Sequence, residues 1–425
     1  MIISMLFCIT HPVFAENLSG ECGSGVEWNL DTTSGIIVIS GNGRMTTTPW
    51  KSHKNLIKSV VIGDGVLSLT NSAFAYCPNL INVSLGNGIT DIASYSFSGC
   101  GKLTNVQFGA STKKIGACAF DNCTSLLEIE IPDKVTVIDG GAFGYCTSLE
   151  NISFSSNLSS IGNYAFAGCS KLKEVEIPSN VTIVGNYAFS GCSDMEEVNF
   201  NNKLSIIGSG AFEYCSKLKN IYIPNSVSMI GEQAFNACSD MERFEVDDNN
   251  KAYCSDETGV LYTKNMKELI QYPASAEKLL FLIPDTVNKI DDWAFYKALN
   301  IRYVFIPDSI EQIGYATFYE CDNLLKVLYE SNENKFSSIT KGEQNTSYDL
   351  AEKVYGYIYQ KGDTDFDGEI NVRDVTNLRR YIVGGYNVIM IDDIFDINSD
   401  NDINITDVTF LRKYIVGGYG IVINN

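Results

Sequence analysis

The chain has 425 residues, a formal net charge of -20 and a sequence pI near 4.5. A surface this acidic argues against nucleic acid or an anionic membrane as partner and suits a soluble or cation-binding protein. The length leaves room for more than one domain.

The first residues, MIISMLFCITHPVFA, hold an apolar run from Ile2 to Phe14 that ends in Val13-Phe14-Ala15. That is the small-residue pattern cut after a secretory signal, so a signal peptide is expected over residues 1–15, with an extracellular, secreted mature protein. The run is too short to span a bilayer and no other stretch approaches that length, so no membrane insertion is expected.

Residues 16–65 read as an N-terminal cap. From Glu21, ECGSGVEWNLDTTSGIIVISGNGRM reads as two strands joined by a Gly-containing turn, with Trp28 and Trp50 placed to cover whatever follows. A clock then starts. Phe stands at 74, 97, 120, 143, 166, 189, 212 and 235, always 23 apart, and again at 295 and 318. A Cys follows three residues after each, except after Phe295, where Ala298 stands. Between clock positions runs Leu-x-x-Val-x-Ile, as in LKEVEIP from Leu172 and LKNIYIP from Leu218.

A period of this length with that spacing predicts a leucine-rich-repeat solenoid, with short parallel strands on the concave face of 23-residue coils. The Pro ends each strand because it cannot continue the ladder. Val-x-x-Ile-Gly-x-x-Ala-Phe is then the return path on the convex side. One coil cannot bury its apolar face alone, so the stack needs several coils and two caps. The solenoid is expected over 66–359, with an irregular insert at about 247–277 and a C-terminal cap at about 324–359.

The repeat IGNYAFAGCSKLKEVEIPSNVT resembles the BspA-type leucine-rich repeats of secreted bacterial proteins, and the resemblance covers about Glu21 to Tyr359. The stretch NNKAYCSDETGVLYTKNMKELIQYPA resembles the hairpin-like unit such proteins insert. The resemblance implies adhesion and binding of a protein or glycan, not catalysis.

Thirteen Cys in an exported chain suggest disulfides. Nine of them occupy the clock position: Cys77, Cys100, Cys123, Cys146, Cys169, Cys192, Cys215, Cys238 and Cys321. Equivalent side chains of adjacent coils run parallel at about 4.8 Å, whereas a disulfide needs Cβ atoms about 3.8 Å apart and leaning together. These thiols are therefore expected to be free, buried and packed as small hydrophobes. Cys22, Cys118 and Cys254 lie off the ladder and receive no role. The mature chain has one histidine, His53, which any Cys-His or Ser-His-Asp site would have to use. No enzyme is expected.

Composition changes at Lys361, and a second module is expected over 361–425. GDTDFDGEINVRD fits the calcium loop D-x-D-x-D-G-x-I-x-x-x-[DE]. Asp363, Asp365 and Asp367 would supply side-chain oxygens, Glu369 a carbonyl, Asn371 a ligand commonly through water, and Asp374 the closing carboxylate. The loop recurs 33 residues later, where Asp396, Asn398, Asp400, the Asp402 carbonyl, Asn404 and Asp407 take the same roles and Asn401 replaces the turn Gly368. Two Ca2+ ions are expected, the second held slightly less tightly for want of one charge. Each loop runs into one helix ended by Gly-Gly.

This duplicated loop-helix unit, Gly362 to Tyr419, resembles a type I dockerin, a small all-α module. The resemblance implies a cohesin domain of a scaffold protein as partner, as in cellulosomes. Its recognition positions fall on Val372, Arg373, Arg379 and Arg380 in the first copy and on Ile405, Thr406, Arg412 and Lys413 in the second.

Residues flanking the central Val of each strand should point outward from the concave sheet. They are polar and acidic at first, as in Glu128/Glu130 and Glu174/Glu176, and apolar after the insert. Exposed apolar surface marks interaction sites, so Tyr222, Leu280, Leu282, Tyr303, Phe305 and Leu328 are the candidate ligand contacts. The sequence reads as a secreted, non-catalytic binding protein attached to a cohesin-bearing scaffold. The alternatives are a dockerin-bearing glycoside hydrolase working through two carboxylates and a free adhesin.

Overall fold

The computed structural model describes residues 17–383, 392–400 and 402–417. The expected signal peptide, the first helix's Gly384-Gly385 and Asn401 lie outside them. The chain divides into two compact units, Met1–Lys217 with Met229–Phe235, and Leu218–Ser228 with Asn236–Asn425.

The first unit opens with three antiparallel strands, Asn17–Gly23, Val26–Asp31 and Ile36–Gly41. The sequence suggested two; the extra strand starts at Asn17, ahead of the stretch read from Glu21, and takes in Glu21, Cys22 and Gly23. The third strand pairs in parallel with Ser59–Ile62, which leads into the coil strands Asn82–Ser84 and Asn105–Gln107. The cap thus turns an antiparallel edge into the parallel ladder of a solenoid.

Each coil contributes two short strands. One is the concave triplet, paired in strict 23-residue register, as in Glu128↔Asn151, Ile129↔Ile152 and Glu130↔Ser153. The other is a two-residue strand on the return path, and seven of these form a second sheet from Asp91–Ile92 to Met229–Ile230. At Gly185, where that path begins its turn, an added Cβ would lie 2.6 Å from Asn163 N and Gly162 C of the preceding coil, so only glycine fits.

The clock Phe side chains form a buried stack. Rings from Phe74 to Phe235 follow one another at 5.3–5.8 Å with interplanar angles of 4–10°. Each buried ring contributes on the order of 1.5–3 kcal/mol. Trp50 occupies the Phe position of the first coil, stacking on Phe74 at 5.1 Å while its Nε1 donates to Ala73 O at 3.0 Å. Trp28 packs on Trp50 at 5.8 Å.

On both sides of each Phe, at two residues before and two after, the backbone is left-handed. Tyr76, Tyr95, Asn122, Tyr145, Tyr164, Tyr187 and Tyr214 all have φ of 54–59°. Where one coil has Tyr at such a position, the next commonly has Gly beneath the ring. Gly168 (φ 72°) is one, and a Cβ there would come 2.6 Å from the Tyr145 ring.

The ladder thiols do more than fill space. Cys100, Cys123, Cys146, Cys169, Cys192 and Cys215 each donate S–H to the carbonyl of the preceding coil's Phe at 3.2–3.4 Å. None of the twelve described cysteines forms a disulfide.

In the second unit the insert folds as a three-stranded antiparallel piece, Tyr253–Ser255, Leu261–Thr263 and Glu268–Gln271, the last of which pairs in parallel with Lys289–Ile290. Tyr272 then takes the Phe position and stacks on Phe295 at 4.8 Å, followed by Phe318 at 4.8 Å and Tyr348 at 5.5 Å. The closing segment keeps contributing strands: Thr340–Lys341 extends the return-path sheet and Glu352–Tyr355 the concave one. Asn345 ends the stack with buried bonds, accepting from Phe318 N at 2.9 Å and donating to Gly314 O at 2.9 Å.

The C-terminal module has helices Val372–Ile382 and Ile405–Ile415, with a short turn of helix at Asp392–Phe395. Val375, Leu378, Ile394, Phe395, Val408 and Leu411 form its core, which is continuous with Leu280, Tyr303 and Leu328 of the last concave strands.

Candidate functional site

Both duplicated loops close on a buried Asp. In the first, Asp374 Oδ1 accepts from Thr364 N at 2.7 Å and its Oδ2 from Asn371 N at 2.8 Å. Asp363 accepts from the amides of Asp367 and Gly368 at 3.2 and 3.0 Å. Asn371 and Asp374 form a capping box at the start of the helix, so the last two ligand positions also nucleate it. The second loop repeats the pattern: Asp400 N donates to Asp396 at 3.1 Å, Asn404 N to Asp407 Oδ2 at 2.8 Å, and Asn404 with Asp407 caps the second helix. Gly417 ends that helix in the left-handed conformation, φ 71°.

The first loop fits a divalent cation. Asp363, Asp365 and Asp374 offer carboxylate oxygens that all lie within 4.8 Å of one another. Oxygens sharing a Ca2+ at about 2.3–2.6 Å can stand no more than about 5 Å apart. Asp363 and Asp374 are fully buried, and Asp365 Oδ1 is buried without a hydrogen bond. Burial pushes the Asp363 carboxyl up to about 6 and raises Asp365, with Asp374 adding to both. Such a cluster is costly without a positive charge, and an ion would supply one. Asp367, Glu369 and Asn371, the other expected ligands, lie in the same loop, where Asn371 Nδ2 donates to the Glu369 carbonyl at 3.4 Å.

The eight expected recognition residues, Val372, Arg373, Arg379, Arg380, Ile405, Thr406, Arg412 and Lys413, are all exposed. Arg379/Arg380 and Arg412/Lys413 stand in the last turns of their helices, where cations also complement the helix dipole.

The concave sheet holds one agreement and one correction. In the first unit the flanking pairs face solvent, and Asn105, Glu128, Glu130, Asn151 and Ser153 line an open depression of about 460 Å3. In the second unit Tyr222 is exposed and its hydroxyl donates to Asp247 at 2.9 Å. The apolar patch expected to be open is largely covered. Leu280, Tyr303 and Leu328 are buried and Phe305 is partly buried; Leu282 remains 40% exposed. The cover is the C-terminal module itself, because Leu, Tyr and Phe left outward on a sheet lower the free energy by meeting another apolar surface.

Three residues of this contact carried no assigned role in the sequence reading. Phe366 stacks on Tyr303 with centroids 4.1 Å apart, Lys326 Nζ donates to Asp365 O at 3.0 Å, and Tyr357 is buried against Phe305. The available signal was Phe366, whose counterpart in the second loop is Ser399. Of the unassigned thiols, Cys22 is buried in the cap near Val26 O, Cys118 sits in a left-handed position at 3.8 Å from Gly140 O, and Cys254 lies in the insert at 3.4 Å from Thr263 O. His53 is half-buried in a 3-10 turn. Among the described residues no helix is long and apolar enough to cross a membrane.

The chain matches the model of the BspA type leucine-rich repeat region over 52–172, 136–256 and 277–347, and that of the dockerin type I domain over 361–416. Among solved structures it is similar to a leucine-rich repeat protein from Bacteroides ovatus, with 22% identity over 78% of this chain and 98% of the other and a TM-score of 0.55. It also resembles a leucine-rich cell surface protein from Faecalibacterium prausnitzii, with 21% identity, 76% and 97% coverage and a TM-score of 0.45. The pneumococcal vaccine antigen PcpA follows at 18% identity, 74% and 70% coverage and a TM-score of 0.49. No curated protein sequence matches. Type I dockerins bind calcium and pair with cohesins, and the repeats, the coil geometry and the duplicated loops together show that this chain belongs to the BspA-type leucine-rich repeat family and carries a type I dockerin domain.

Proposed function

We propose that this is a secreted, non-catalytic binding protein that presents a leucine-rich concave sheet and attaches to a cohesin-bearing scaffold through a dockerin loaded with two Ca2+ ions. The twelve loop ligands named above hold the ions. The observation that carries the reading is the pairing of converging, buried loop carboxylates with exposed recognition residues on both helices. Calcium fixes each loop, each loop caps its helix, and each helix then offers a basic pair to the partner. Because the pairs match between copies, either copy can present the binding face.

On the concave sheet, the polar depression beside Glu128 and Glu130 suits a ligand rich in hydrogen-bond donors, such as a glycan or a basic peptide. With most of the apolar patch covered, these acidic pairs and Tyr222 become the leading contacts.

The test is titration of the full chain against a panel of scaffold cohesins, with calcium and with chelator. Exchanging Arg379 and Arg380 for Ala, or Arg412 and Lys413 for Ala, should leave binding through the other copy. Exchanging all four should abolish it. Undiminished binding in the fourfold variant would refute the assigned face.

A further inference from the structure

We infer that the last coils of the solenoid complete the first calcium site, so that calcium binding by that loop and seating of the dockerin on the concave sheet are one coupled event. The inference rests on the reading of the loop as a calcium site. Phe366 stands between two of its ligand residues, Asp365 and Asp367. Its ring is 1% exposed and lies on Tyr303 at 4.1 Å. Its backbone is left-handed, φ 55°, a conformation unfavourable for a bulky side chain unless the surroundings hold it. Here the surroundings are solenoid side chains. Lys326 Nζ donates to the carbonyls of Asp365 and Phe366 at 3.0 and 3.4 Å, tying two of these three residues to a concave strand. Tyr357, from the segment between the last strand and the loop, is 1% exposed, lies against Gly368, and turns its buried hydroxyl toward the Asp363 carboxylate.

The second loop shows what a loop without this support looks like. Its equivalent residue is Ser399, also left-handed at φ 59°, but exposed and bonded to Lys361 Nζ at 2.6 Å. The two sites are therefore unequal for a reason unrelated to ligand charge. Calcium orders residues 363–374 and so presents Phe366 to Tyr303; the seated ring orders 365–367 and so prepays part of the ordering that calcium requires. Coupling of this kind is reciprocal. Seating also leaves the recognition residues of both helices exposed, so a seated dockerin stays open to its partner while its orientation on the solenoid is held.

The experiment uses the full chain. Stepwise calcium affinities are measured by chelator competition for the unaltered protein, Tyr303→Ser, Phe366→Ser, Tyr303→Phe and Ser399→Ala. The tighter step should weaken at least about 5-fold, the lower end of usual coupling, in Tyr303→Ser and Phe366→Ser. It should recover in Tyr303→Phe, which keeps the ring, and stay unchanged in Ser399→Ala. Hydroxyl-radical footprinting of the unaltered chain should find Tyr303 protected with calcium and oxidised after chelation. Equal affinities in Tyr303→Ser and the unaltered chain, or a Tyr303 that stays protected without calcium, would overturn the coupling while leaving the calcium site standing. No calcium binding by the unaltered chain would overturn both.

Discussion

Cys146 donates its S–H to the carbonyl of Phe120, one coil back, at 3.2 Å, and the same carbonyl accepts Cys123 N from its own coil at 3.2 Å. The buried carbonyl thus uses both lone pairs, and the thiol ladder stitches each coil to the one before it. Cys146→Ala, which copies the residue the chain itself uses at Ala298, should cost about 0.5–1.5 kcal/mol for the lost bond, with a small void added. Chemical denaturation of the full chain measures it.

The same thiols make the fold sensitive to alkali. Burial pushes Cys146 and Cys321 up to about 12, against about 8.5 for an unfolded thiol. Between these values the folded chain keeps protons that the unfolded chain has lost, so stability should be level below about pH 8.5 and fall as pH rises toward 12. Melting temperatures from pH 7 to 11 should show the decline. Ellman titration in denaturant without reductant should find the ladder thiols free, and a count near zero would reinstate disulfides.

Gly168 and Tyr145 form a lid and its seat. Gly168→Ala forces a side chain into the left-handed region, at about 1–2 kcal/mol, and drives its Cβ to 2.6 Å from the Tyr145 ring. Tyr145→Ala alone, at an exposed position, should change stability little. In the double variant the loss should be smaller than in Gly168→Ala, since only the backbone penalty remains. A double-mutant cycle by urea denaturation reads the difference.

Glu174 and Glu197 are direct neighbours in the concave ladder. Like charges placed so are unfavourable by about 0.2–1 kcal/mol. Glu174→Gln should therefore stabilise the chain at low salt, with the gain shrinking as salt is raised. If this face binds a cationic or donor-rich ligand, the same change should weaken capture on a glycan and peptide array. A stability gain independent of salt would remove charge repulsion as its cause.

Chelation should unfold the helices of the dockerin, because a module this small has little core of its own and metal binding becomes folding energy. The helical circular dichroism of the full chain should drop with chelator and return with calcium. Asp374→Ala and Asp407→Ala should each remove one bound ion, measured by calorimetry. A spectrum unmoved by chelator would refute the ligand assignment.

Much of this was legible in the chain itself. The 23-residue clock reports contacts between equivalent positions of adjacent coils, and such contacts repeat in sequence because they repeat in space. The Phe stack, the thiol ladder, the outward acidic pairs and the two duplicated acidic loops follow from it or from fixed local spacing. What broke the clock was harder to read. Trp50, Tyr272 and Tyr348 hold the Phe position, but Trp50 and Tyr348 stand off the 23-residue spacing, and Tyr272, which keeps it, sits between Gln271 and Pro273 without the Ala-Phe pair that marks the position. The hydrogen bonds of the thiols also escaped, since a period does not say where a proton points.

The tertiary structure alone decided the fate of the apolar patch. Leu280, Tyr303 and Leu328 were marked outward by strand alternation, and outward they are; what alternation does not contain is what lies beyond the sheet. Phe366 comes to Tyr303 from 63 positions along the chain, brought there by the closing strand Glu352–Tyr355 and the short link after it. A repeat encodes the surface it builds. Which distant segment covers that surface depends on a single non-repeating pairing, and that exists only once the chain has folded.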